Sequence, residues 1–136
     1  MLDTDILSEY LKGHDKSIAR QSEAYLSVHR VFTFTSITAY EITYGLRVKN
    51  ADRQLQRVIP LLDRNQGLAP IGDDFRWAAR IKASARSSGL VVELPDCLIA
   101  AVAVRLNLPL VSGNTADYES IRKAGAALEL QNWRVD

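Results

Sequence analysis

Apolar and polar residues along this chain keep two rhythms, and the chain switches between them repeatedly. Ile6, Leu7, Tyr10 and Leu11 recur at helical spacing, which predicts a short helix over 5–11, ended by Gly13. Met1-Leu2-Asp3-Thr4, just before it, reads as the end of a strand. A second helix is expected over 17–29, with Ile18, Ala19, Tyr25 and Leu26 facing inward. Residues 31–35 alternate apolar side chains with Thr, a strand pattern. Ser36 offers an N-cap to a helix over 37–49. Helical periodicity continues over 51–64, with a bend before Pro60. Residues 68–71 predict a short strand. Asp73 or Asp74 caps a helix over 75–87, closed by Gly89. Residues 91–94 are too short to assign. A strongly apolar helix follows over 96–106, then a strand over 108–112 and the loop Gly113-Asn114-Thr115. A short helix over 117–123 and a strand over 128–133 end the chain.

Strands that alternate with helices imply an α/β fold, a parallel sheet with helices on both faces. In such sheets the ligand site lies beyond the C-terminal ends of the strands. Acids fall at that end. Asp3 and Asp5 follow the first strand, Glu41 sits in the second turn of the helix after the second strand, Asp96 opens the apolar helix, and Asp117 follows the strand over 108–112. Each has an ordinary explanation by itself. An acid in a first helical turn, such as Asp96 or Asp117, gains roughly 0.3–1 kcal/mol from the helix dipole. Asp3 suits a turn. Glu41 is more telling: Ile37 and Tyr44 read as core-facing, so it lies on or beside the inward stripe, where a carboxylate needs a partner or a metal. What the separate explanations leave open is why Asp3, Glu41, Asp96 and Asp117 all share one end of the sheet.

The chain has 136 residues, 47% of them hydrophobic and 24% charged, which fits one folded domain over 1–136 and excludes a disordered chain. Basic and acidic residues number 17 and 16, so overall charge names no partner. A nucleic-acid ligand would need a local basic face. Arg47, Arg53 and Arg57 on one helical stretch and Arg76 and Arg80 on the next are candidates for phosphate contacts, or simply solvated helix faces. Tyr10, Tyr40, Tyr44 and Tyr118 offer rings for base stacking, for the core or for a dimer face. A single cysteine, Cys97, and no signal-like N-terminus point to a reducing, cytoplasmic setting. The longest apolar run, 97–104, falls short of the roughly 20 residues that span a bilayer. Carboxylates without His or Cys partners select hard cations such as Mg²⁺ or Mn²⁺. His14, His29 and Cys97 lack the spacing of a zinc site.

The set of motifs resembles the PIN-domain ribonucleases, and within them the VapC-type toxins of type II toxin–antitoxin pairs. Leu2-Asp3-Thr4-Asp5-Ile6-Leu7-Ser8 is similar to the family's opening motif, although only Met1 and Leu2 precede its Asp. Thr35-Ser36 with Tyr40-Glu41-Ile42 and Tyr44-Gly45 is similar to the second motif. Asp96-Cys97-Leu98-Ile99-Ala100-Ala101 is similar to the third, and Val111-Ser112-Gly113-Asn114-Thr115-Ala116-Asp117-Tyr118 to the fourth. The resemblance implies a three-layer α/β/α domain around a central parallel sheet of four to five strands. It implies that Asp3 and Asp96 hold Mg²⁺, with Mn²⁺ able to substitute, and that Glu41 and Asp117 complete the acidic pocket. Ser112 and Asn114 would orient the loop and the carboxylates, and Asp5 stands where relatives often carry Asn. The implied activity is metal-assisted RNA hydrolysis, leaving a 5′-phosphate and a 3′-hydroxyl. The implied partners are a VapB-type antitoxin, bound near the first two helices, and a second copy of the chain.

Two rival readings have a basis in the residues. Asp3-Thr4-Asp5 also matches the two-Asp motif of haloacid-dehalogenase-like phosphatases, with Gly72-Asp73-Asp74 as a loose late motif. That reading leaves Glu41 and Asp117 without a task. The other rival is a PIN fold without catalysis, serving as a binding module.

Overall fold

Backbone hydrogen bonds of the first three residues join what would otherwise be two separate strand pairs. The structure, a computed structural model, describes residues 1–135. Asp136, the last residue of the domain expected over 1–136, lies outside them. Helices α1 (Thr4–Lys12) and α2 (Lys16–His29) come first, followed by β1 (Thr33–Thr35), α3 (Ser36–Val48) and α4 (Asp52–Asp63). Then come β2 (Gln66–Leu68), α5 (Gly72–Ser87), α6 (Leu94–Arg105), β3 (Leu110–Val111), α7 (Thr115–Lys123) and β4 (Leu130–Gln131).

Strands β1 and β2 pair in parallel with Phe34 opposite Gly67, and β3 and β4 pair in parallel with Val111 opposite Gln131. Between the pairs runs the N-terminal segment. Leu2 N donates to Thr33 O at 2.8 Å on one side. On the other, Asp3 N donates to Val111 O and Val111 N to Met1 O, both at 2.9 Å, and Leu2 bridges to Val111 in parallel. The sheet so formed is the parallel one that the alternation of elements predicts.

Each face of the sheet carries its own core. Ala78, Ile81, Cys97, Ile99, Val102, Leu110, Tyr118 and Ile121 pack under α5, α6 and α7. Leu2, Ile6, Leu7, Ile18, Phe32, Phe34, Ile42, Val58 and Trp133 pack under α1–α4. Helix α6 is buried continuously from Cys97 to Ala103, as its all-round apolar sequence requires. No helix among the described residues is long and apolar enough to cross a membrane.

Several boundaries differ from the sequence reading, for identifiable reasons. The strand expected over 68–71 lies over Gln66–Leu68, because Asn65 Oδ1 takes the Phe32 amide, Gln66 N reaches Phe32 O, and Pro70 has no amide to extend the pairing. The N-cap of α3 is Thr35 rather than Ser36, with Thr35 Oγ1 accepting from Thr38 N. Neither Asp73 nor Asp74 is the N-cap of α5. That place belongs to Ile71, and Asp74, three residues on, turns back to accept the Ile71 amide at 2.8 Å. Pro60 lies inside α4. Helix α6 starts at Leu94, two residues early, with Pro95 in the first turn, where a missing amide costs nothing. Ala19, expected to face inward, is exposed.

The packing of α6 yields a stability prediction. Ile99 is fully buried, so Ile99→Ala should cost roughly 2–5 kcal/mol through lost contacts and a residual cavity. Urea denaturation checks this: the midpoint should fall with the slope unchanged.

Candidate acidic site

The site is assembled at the C-terminal ends of the segment 1–3 and of β1 and β3, where helices begin. Asp3 stands at the N-cap of α1, yet its side chain makes no capping bond there. Its carboxylate turns instead to the sheet end. Ser112 Oγ, just past β3, donates to Asp3 Oδ2 at 2.8 Å, and the Tyr118 hydroxyl donates to Asp3 Oδ1 at 3.1 Å. That hydroxyl is also 3.5 Å from Asp96 Oδ1, in the first turn of α6. Asp3 and Asp96 thus approach a single phenolic oxygen from two sides.

The remaining acids surround this pair. Glu41 is half-buried on α3, and its Oε1 accepts from Thr4 Oγ1 at 2.7 Å; Thr38 Oγ1 lies 3.1 Å from the same Thr4 hydroxyl. Asp117, on the exposed first turn of α7, accepts from Asn114 Nδ2 at 2.8 Å, and Asn114 N donates to Ser112 Oγ at 2.9 Å. Asp5 accepts the Gly113 amide at 2.9 Å. Ser112 and Asn114 therefore connect three of the acids through one loop.

Electrostatics follows from this crowding. Burial pushes the Asp3 carboxyl up from 3.8 to about 7, and the Asp5 charge adds to it, while bonds from Ser112 and Tyr118 pull the other way. Burial also raises Asp96 to about 6, helped by the charges of Asp117 and Glu41. Tyr118 is held well above its ordinary value by burial and by Asp3 and Asp96, so its hydroxyl stays a donor. One proton cannot satisfy two carboxylates fully, and the site holds more negative charge than its donors offset.

The donor set is all oxygen. Among the described residues no three His, Cys, Asp or Glu side chains are drawn into a ready-made metal cage. Carboxylates that crowd together and repel each other suit a hard cation that binds one or two of them and keeps most of its water. Asp3 and Asp96 are the pair best placed for it. The free cysteine, Cys97, is buried in the core, and His29 packs against the Tyr25 ring at 4.4 Å.

The structure separates other residues from the site. Tyr44, expected to face the core, is 59% exposed and stacks on Tyr40 with ring centres 5.9 Å apart. The buried stripe of α3 is Thr38 and Ile42 instead. Tyr10 packs edge-on against Phe32. Asp73 is exposed and paired with Arg76. Asp74 is buried and bound bidentately at 2.9 and 3.0 Å by Arg105, whose place on α6 is about 14 Å along the axis from that of Asp96. The late acids of the phosphatase reading are therefore engaged elsewhere.

Of the arginines, Arg57 lines a groove of about 490 Å³ between α1, α3 and α4, together with Lys12, Lys49 and Glu41. Arg47 and Arg53 are exposed nearby on α3 and α4, whereas Arg76 and Arg80 are exposed on α5, which packs on α6 and α7. Sequence reasoning passed over Thr4 and Arg134 and treated Tyr118 only as a ring. The available signal was position: Tyr118 lies one helical turn from Asn114, inside the fourth motif.

The raised carboxyls predict a pH dependence. Below about pH 4 Asp3 is protonated in both folded and unfolded chains. Between about pH 4 and 7 the unfolded chain has released that proton while the folded one retains it, so stability falls as pH rises. Asp3→Asn should remove the Asp3 part of this slope and leave the part that Asp96 contributes, raising the melting temperature by clearly more at pH 8 than at pH 4.5. Thermal melts in a chelating buffer measure it, at roughly 3–5 °C per kcal/mol for a domain this size.

A family profile for the PIN domain matches residues 1–124. No curated protein is similar enough to count as a relative. Among solved structures, the fold resembles that of VapBC2 from Rickettsia felis bound to a promoter DNA fragment, with 24% identity and a TM-score of 0.81 over 98% of this chain and 97% of that one. DNA-bound VapBC from Salmonella typhimurium gives 24% and 0.81 over 98% and 96%. FitAcB from Neisseria gonorrhoeae gives 19% and 0.77 over 99% and 98%. With the profile covering all four acidic motifs, the chain belongs to the PIN domain family.

Proposed function

We propose that this protein is a VapC-type toxin, a cytoplasmic Mg²⁺- or Mn²⁺-dependent endoribonuclease held in check by a VapB-type antitoxin. The observation that carries the reading is the meeting of Asp3 and Asp96 at the Tyr118 hydroxyl, with Glu41 and Asp117 close enough to raise the Asp96 carboxyl. Asp3 and Asp96 would hold the cation. Bound there, it supplies positive charge to the phosphodiester and eases ionisation of water. Ser112 and Tyr118 fix the two oxygens of Asp3. Thr4 holds one oxygen of Glu41, which leaves the other to take a proton from the attacking water. Asn114 keeps Asp117 turned to the loop. In-line attack then leaves a 5′-phosphate and a 3′-hydroxyl.

The groove between α1, α3 and α4 supports both partners of such a toxin. Leu11, Ile42, Leu46, Val58 and Leu61 give it apolar walls, Lys12, Lys49 and Arg57 line it as well, and Glu41 lies at one side. Basic groups beside an acidic centre suit an RNA backbone. Apolar walls suit an antitoxin segment, which would block the same space. The similar structures include DNA-bound VapBC complexes and a toxin–antitoxin complex from Klebsiella pneumoniae, which supports an antitoxin partner for this chain. A second copy as dimer partner is part of the same proposal.

The test is cleavage of single-stranded RNA with the ends of the products identified. Activity should vanish with chelator, return with Mg²⁺ or Mn²⁺, and fall at least about 100-fold in Asp96→Asn. It should rise from pH 5.5 to 7.5 as Asp96 and then Asp3 lose their protons. No cleavage at saturating Mn²⁺ would leave the binding-module reading. Turnover of a phosphomonoester that needs Asp3 and Asp5 but not Glu41 would favour the phosphatase.

A further inference from the structure

Arg134 reaches back from the segment after β4 to the start of α1. Its guanidinium lies 3.6 Å from Asp5 Oδ2, 3.9 Å from Glu9 Oε1 and 3.9 Å from Asp15 Oδ2. Asp5 differs from the other acids of the site. Its Oδ2 faces Arg134 and accepts the Gly113 amide, while its Oδ1 lies 3.4 Å from the Ser112 hydroxyl that also serves Asp3.

Two further features hold this arrangement. A Cβ on Gly113 would fall 2.6 Å from Asp5 Oδ2 and collide with Arg134 as well, so the bare backbone is what lets the three groups meet. Gly113 is not among the residues with positive φ, so the glycine answers to space and not to torsion. Trp133, the neighbour of Arg134, is anchored in the core. It is buried, its ring lies 5.6 Å from that of Tyr25, and its carbonyl accepts from Ser17 Oγ at 2.8 Å. Arg134 therefore leaves from a fixed point.

We propose that Arg134 is a positioning residue of the acidic site: it clamps Asp5 against the Gly113 amide and cancels its charge. The cation pocket then consists of Asp3, Glu41, Asp96 and Asp117, with Asp5 held out of it. The proposal rests on the nuclease reading of those four acids. Without Arg134, Asp5 keeps only the neutral Gly113 amide and Ser112 hydroxyl as partners, and its charge is uncancelled. A fifth uncancelled carboxylate would draw a divalent cation more strongly and repel the phosphodiester that must sit beside it.

The experiment uses the full chain and two probes, Mn²⁺ alone by calorimetry and single-stranded RNA cleavage by kinetics. In R134Q, Mn²⁺ should bind about tenfold more tightly and KM for RNA should rise about tenfold, the size expected of one added nearby charge. R134K keeps the charge and should restore most of both values. Adding D5N to R134Q should bring both back towards wild type, a reversal that a purely structural role of Arg134 would not produce. Melting curves show that each variant is folded. Unchanged Mn²⁺ affinity in R134Q, or a change that D5N does not reverse, overturns the proposal and leaves the nuclease reading intact. A wild-type protein that binds Mn²⁺ but cleaves no RNA overturns the nuclease reading, and the Mn²⁺ titrations then decide the role of Arg134. A wild-type protein that binds no Mn²⁺ overturns both.

Discussion

The insertion of Met1–Asp3 between Thr33 and Val111 is the constraint on which the rest of the structure depends. Its backbone bonds connect the two strand pairs, and its Leu2 side chain enters the core under α1–α4. Because residue i of a strand fixes where residue i+1 emerges, the same bonds deliver Asp3 to the sheet end with its direction set. The loop after β3 arrives beside it, since Val111 is the partner of Leu2 and Ser112 follows Val111. Site and sheet are thus one construction. Loss of pairing at residue 2 would remove a nucleus of the core and the central acid together.

Around that acid the protein tolerates electrostatic tension. Buried carboxylates that repel one another oppose folding, and a domain of this size has only a modest surplus of stability to offset them. Hydroxyl donors relieve part of the tension at Asp3, Asp96 and Glu41, but a hydroxyl brings no charge. The arrangement is therefore strained until something positive arrives, and whatever neutralises it also stabilises the fold by linkage. Arg105 and Asp74 show the opposite solution elsewhere in the molecule: a buried carboxylate matched at once by a bidentate guanidinium.

Much of this was legible in the sequence because periodicity and position carried it. The helices and the order of strands followed from hydrophobic spacing, and the acids of the site were visible as residues just past predicted strands. What escaped depended on contacts between distant residues. Tyr118 looked like a ring to be packed, and only the approach of α7 to α1 and α6 shows its hydroxyl between two carboxylates. Tyr44 looked core-facing because its spacing from Ile37 matched a stripe, but α3 buries Thr38 and Ile42 instead. Asp74 looked like a simple cap. Its burial follows from Arg105, 31 residues away, which no local pattern could reveal. Strand boundaries shifted for the same reason, since Asn65 and Pro70 set the limits of β2.

Gly113 gives the loop after β3 an unusual evolutionary position. Glycines in loops commonly persist for their torsional freedom, and Asn or Asp can stand in for them. Here the restriction is volume: any side chain must displace the ends of Asp5 and Arg134, whatever its backbone preferences. The three positions are therefore expected to change together over descent. A lineage that shortens position 5 or removes the cation at 134 frees position 113 to vary, and one that keeps both can leave glycine only by moving the Asp5 and Arg134 side chains apart.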